Sequence, residues 1–157
     1  MIGASTSLIV PGVGGDTSTR NGRAQKALFA AAAEFDLRLP DVGHLPRAAV
    51  GPALVGHFLE RWEDDEALMA LLRSAVANEP AADRMRSIFA SQLAPLVARL
   101  RGGSRAAAAA SAGLIATQIL GLTLCRYVLR LPPVVGLREA QIVEQVGATV
   151  QRYLDAD

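Results

Sequence analysis

Residues 104–130 read SRAAAAASAGLIATQILGLTLCRYVLR, and no charge falls between Ala106 and Cys125. On an α-helix, positions four apart share one face, so Ala109, Gly113, Thr117, Gly121 and Cys125 form a narrow line without bulk. Ile115, Ile119 and Leu122 flank that line on one side and Leu114 on the other. A helix that is apolar all round has no face suited to water. The pattern therefore predicts burial by helices of the same chain and by a second copy. Ser104 is suited to cap the helix at its start, and Leu131-Pro132-Pro133 closes it. Arg126 and Arg130, in its last turns, oppose the negative end of the helix dipole.

Composition agrees with packed helices. Among 157 residues, 51% are hydrophobic but only 4% aromatic, so Ala, Leu and Val must fill the core. The length suits one domain. Sixteen Lys and Arg against fifteen Asp and Glu give no field strong enough to imply nucleic acid or an acidic membrane as partner. The lone Cys125 rules out an internal disulfide and fits a cytoplasmic setting. Met1 to Val10 lacks the basic start of a secretion signal. Ala106 to Cys125 is long enough to span a bilayer, but its Ala, Gly, Ser and Thr content, with Gln118 among them, fits a bundle of soluble helices, and no membrane partner is expected.

Outward from this helix, the rest of the chain also reads as helices. Residues 1–21, rich in Gly, Ser and Thr, are expected to be a flexible N-terminal segment, leaving 22–157 as the folded domain. Arg23 to Phe35 repeats apolar residues at helical spacing, and Leu39-Pro40 closes that helix. A second runs from about Leu45 to Trp62, with Phe58 and Trp62 on one face and His57 beside it. Glu63-Asp64-Asp65-Glu66 stands where a third begins, and capping explains these carboxylates better than metal binding. That helix carries Leu68, Met69, Leu71 and Leu72 and stops near Asn78. From Pro80, Met85, Ile88, Phe89, Gln92, Leu93 and Leu96 share a side up to about Arg101. Pro95 removes the hydrogen bond to the Ser91 carbonyl and predicts a kink beside Gln92. A last helix after Gly136 carries Val143, Gly147 and Val150, again with a small residue inside the apolar face. The expected fold is all-α, a bundle of about six helices.

Several stretches, in this order and spacing, resemble the C-terminal half of TetR-family transcriptional regulators of the actinobacterial type. They are Lys26-Ala27-Leu28-Phe29, Phe58-Leu59-Glu60-Arg61-Trp62, Leu71-Leu72-Arg73-Ser74-Ala75, Gly121 to Leu129, and Val150-Gln151-Arg152-Tyr153-Leu154. The resemblance implies that the last two helices pair with their copies as a four-helix-bundle homodimer interface and that the preceding helices enclose a small-molecule pocket. It also implies a helix-turn-helix unit before the Leu-Phe element. Residues 1–25 are too few and too rich in Gly for three helices, so DNA is expected as a partner only where a longer form or another chain supplies that unit.

Three functions compete. The first is an effector-sensing and homodimerisation domain of a TetR-like repressor. Its small apolar or amphipathic ligand would meet Phe58, Trp62, Met69, Met85, Phe89, Gln92 and Gln118. Its dimer interface would use Ala109, Gly113, Thr117, Gly121, Cys125, Val143, Gly147 and Val150. The second is an interaction module that heterodimerises with a full-length paralogue and modulates its DNA binding. The third, an enzyme, finds only His44, His57 and Cys125, with no base and nucleophile at a telling spacing. No catalytic residue, metal site or cofactor is expected.

Overall fold

A computed structural model describes residues 36–156. The expected flexible segment 1–21, the helix at Arg23–Phe35 and the Leu-Phe element lie outside the described residues. Among those described, every regular element is helical. After a 3-10 turn at Arg47–Ala49 come α1 (Val50–Asp64), α2 (Glu66–Ala75), α3 (Glu79–Ile88), α4 (Ala94–Arg101), α5 (Arg105–Thr123), the four-residue α6 (Pro132–Val135) and α7 (Glu139–Asp155). With α3 and α4 counted as one bent rod, the described part holds six α-helices.

The helix starts follow from local chemistry. Ser104 accepts a hydrogen bond from Ala107 N–H at 3.2 Å and opens α5, satisfying one donor that the first helical turn leaves free. Within the acidic run, Asp65 is the residue that caps, accepting from Leu68 N–H at 2.9 Å. Asn78 does the same for α3 through Ala81 N–H, 3.1 Å away. Between α4 and α5 the chain reverses at Gly102 and Gly103, whose φ angles of 70° and 74° place them in the left-handed region that favours glycine. One boundary differs from expectation: the helix expected to stop near Asn78 ends at Ala75, and Val76 beyond it is exposed.

The interruption expected from Pro95 takes the form of a π turn. Residues Phe89–Leu93 join α3 to α4, and Ala94 N–H bonds back to the Phe89 carbonyl. The wider turn carries the chain past the proline, which has no N–H to give. Gln92, in this turn, accepts from Leu37 N–H at 2.6 Å. His57 Nε2 donates to the carbonyl of the same Leu37, 2.9 Å away. Both polar side chains thus hold the fully buried Leu37 in place, which accounts for His57 as a satisfied structural residue.

In the bundle α7 packs chiefly against α1, α5 lies on α4 and α7, and α2 pairs with α3. Leu54, Val55, Phe58 and Trp62 of α1 meet Ile115 and Ile119 of α5 and Ile142, Val150 and Leu154 of α7 in one core. Gly51 and Gly147 are what let α1 and α7 approach. A Cβ on Gly147 would lie 2.7 Å from Pro52 Cα, and one on Gly51 would lie 2.5 Å from the Gly147 carbonyl oxygen. Gly51 N–H is also bonded by Gln151 Oε1 at 2.8 Å. The ends of the bundle are tied by Arg47, whose guanidinium bonds the carbonyls of Leu100 and Leu154 and pairs with Asp155. Three helix ends are thereby joined, because the last carbonyls of α4 and α7 lack partners within their own helices.

Candidate functional site

Two surfaces of the described chain stand out, and one helical rod connects them. The rod is α5 together with the π turn Leu124–Val128 that continues it. Its inward side carries Ala108, Ser111, Ala112, Ile115, Ile119 and Thr123, all buried. Its outward side carries Ala109, Gly113, Leu114, Thr117 and Gly121, all exposed. Leu114 is 48% exposed, and, beyond the helix's own turn, no atom of the described residues lies within 4 Å of where a Cβ on Gly113 or Gly121 would stand. Thr117 spends its hydroxyl on the Gly113 carbonyl, 2.9 Å away, so the line offers an apolar outer surface with no demanding polar group. By length and composition Arg105–Val128 is apolar enough to cross a membrane. Yet only a third of its most apolar window is buried within the chain, so much of that apolar surface remains available for contact.

The residues expected to form the dimer interface are therefore divided. Ala109, Gly113, Thr117 and Gly121 face outward together, while Cys125 is half-buried in the π turn. Gly147 and Val150 face inward, contrary to expectation. Gly147 is spent on the close approach to Pro52, and Val150 is fully buried in the chain's own core. Val143 is half-buried, its Cγ2 standing 3.7 Å from where a Cβ on Gly56 of α1 would lie. A line of small residues signals close approach, and here α7 makes that approach to α1.

The second surface is an open groove of about 620 Å³ at the junction of α1, α2 and the end of the rod. Glu66, Met69, Ala70 and Arg73 line it from α2, where spacings of three and four put them on one helix face. Trp62 and Glu63 contribute from the end of α1, and Tyr127 from the π turn. Tyr127 Oη donates to Glu63 Oε1 at 2.8 Å. Burial, then the hydrogen bond to Glu63, pushes the phenol up to about 12, because both favour the protonated form. The neighbouring Arg126 lies with its guanidinium carbon 5.7 Å from the Tyr127 ring centre. The same guanidinium donates to the carbonyls of Val134 at 3.0 Å and Leu137 at 3.1 Å. It thus pins the α6 turn onto the rod, rather than answering only the dipole of its own helix.

Behind Trp62 is a crevice of about 10 Å³, lined by Val55, Phe58 and Leu59 of α1, Ile119, Leu122 and Thr123 of α5, and Val146 of α7. Trp62 is the residue that groove and crevice share. The residue is 2% exposed, and its indole Nε1 has no hydrogen-bond partner among the described residues.

Of the seven residues expected to contact a ligand, Trp62 and Met69 meet at the groove and Phe58 borders the crevice. Met85 is buried in the core, and Phe89 packs against that core from the π turn. Gln92 is committed to Leu37, and Gln118 is half-buried and lines neither space. The other five groove residues, Glu63, Glu66, Ala70, Arg73 and Tyr127, are not among the contacts that the sequence predicts. For Arg73 a local signal existed, since it follows Glu66 and Met69 at seven and four positions on one helix face. For Tyr127 and Glu63, 64 positions apart, none did.

Residues 48–154 match a family model described as tetracyclin repressor-like, C-terminal domain. No curated protein matches the chain, and no solved structure does.

Proposed function

The chain belongs to the tetracyclin repressor-like C-terminal domain family, and from that premise we propose that it senses a small effector and pairs with a second copy of itself. In this reading the effector occupies the groove floored by Trp62 and Met69, and the partner covers the outward line Ala109, Gly113, Thr117 and Gly121. The observation that carries it is the placement of Tyr127. This groove residue sits on the continuation of the helix that bears the outward line. An effector that moves Tyr127 off Glu63 strains the rod directly and so biases how two copies meet. The groove is mostly apolar at its floor with polar groups at its rim, which suits an apolar or amphipathic ligand. A cytoplasmic repressor acting on DNA through a helix-turn-helix, carried by a longer form or by a partner chain, completes the proposal. Trp62 is the chain's single tryptophan, so its emission reports on the groove. A panel of apolar small molecules should contain members that change this emission and raise the thermal midpoint. If the whole panel leaves both unchanged, the sensing function fails.

A further inference from the structure

We infer that the effector carries an uncharged hydrogen-bond acceptor that takes the indole N–H of Trp62, and that this bond is what the site selects for. The inference rests on reading the groove as the effector site. Buried donors are almost always paired, and an unpaired one is costly. Trp62 Nε1 is buried without a hydrogen-bond partner among the described residues, and Trp62 lines the groove together with the polar Glu63, Glu66 and Tyr127. Two spaces border the ring. The crevice, about 10 Å³, is no larger than a single water needs, so it admits no ligand. The groove, about 620 Å³, falls in the range of small-molecule sites. A ligand-sized acceptor therefore arrives from the groove side. Nε1 is closed to solvent in the structure, so the wall must yield, and Met69, unbranched and polarizable, is the wall residue most able to do so.

The rest of the lining defines the ligand's body and charge. Trp62, Met69 and Ala70 offer apolar contact, which a flat aromatic ring system fills. Glu63 and Glu66 stand against Arg73, giving the rim an excess of one negative charge at neutral pH. A carboxylate ligand would face that excess, whereas a ketone or ring nitrogen would not.

Three probes of one size separate the possibilities: acetylnaphthalene, ethylnaphthalene substituted at the same ring position, and the corresponding naphthoate. Binding is measured by calorimetry to the full chain and to Trp62→Phe, which keeps an aromatic ring but removes the donor together with part of the indole's volume, a loss that ethylnaphthalene, lacking the acceptor, controls for. Acetylnaphthalene should bind the natural chain about tenfold more tightly than it binds Trp62→Phe, ethylnaphthalene should bind both equally, and naphthoate should bind most weakly. The single indole N–H resonance should also move downfield with acetylnaphthalene and not with ethylnaphthalene, a readout that stands even if Trp62→Phe folds poorly. Equal binding of acetylnaphthalene by both chains, an unmoved indole resonance, or tightest binding of naphthoate overturns the acceptor inference while leaving the groove an effector site. Failure of all three probes to bind at their solubility limits overturns the groove reading and the inference with it.

Discussion

The backbone of Gly147 in α7 lies against Pro52 in α1 so closely that a methyl group on Gly147 would stand 2.7 Å from Pro52 Cα. Real side-chain carbons do not approach backbone so near, and a proline ring fixed in the first turn of α1 has little freedom to retreat. The contact sets the separation of the two helices that pack most extensively in the bundle.

Gly147→Ala should therefore destabilise the chain by about 1–3 kcal/mol or more through overpacking, against the gain that Gly→Ala gives in an open helix. Urea unfolding followed by circular dichroism measures the change. A Gly147→Ala protein as stable as the natural chain would show that the helices separate at no cost.

Asp65→Ala should cost about 1–2 kcal/mol, since it removes the bond to Leu68 N–H that caps α2 and the 3.0 Å ion pair with Arg61. Glu66→Gln, one residue on, leaves the cap intact and should change stability by less than about 0.5 kcal/mol. Thermal unfolding of the two variants side by side distinguishes capping from a general need for negative charge, because equal losses would contradict the cap.

Which parts of the sequence were legible follows from the range of each interaction. The Ser104 cap and the Pro132–Pro133 stop act within a few residues, and the sequence pattern named both. The family motifs added the helix order. Gly147 was legible as a site of close approach but not as to whose backbone it meets, because Gly51 lies 96 positions earlier and carries no side chain to betray the pairing. Gln92 looked like a polar group for a ligand, and only the fold reveals that Leu37, 55 positions away, takes it. The groove was half legible for the same reason: Trp62 and Met69 share neighbouring helices, whereas Tyr127 arrives from the far end of the rod.

Tyr127 supplies a pH test. Its folded value, raised from 10.0 to about 12, lies above that of the unfolded chain, so its contribution to stability is fully present below pH 10. That contribution is lost as pH rises from there towards 12. Subtracting the phenolate absorbance titration of Tyr127→Phe from that of the natural chain isolates this group. The difference curve should have its midpoint near 12. A midpoint near 10 would show that neither burial nor Glu63 holds the proton.

The proposal of paired chains turns on the outward line of α5, and sedimentation velocity of Gly121→Leu beside the natural chain tests it most directly. Beyond its own helix turn, nothing among the described residues lies within 4 Å of a Cβ at Gly121, so leucine there has room and the single chain should fold. A second copy packed on the line would meet four added carbon atoms and be pushed away. The natural chain should sediment near twice 16.5 kDa and Gly121→Leu near 16.5 kDa. A variant that remains a dimer as stable as the natural chain, or a natural chain that sediments as a single copy at micromolar concentration, would contradict the account.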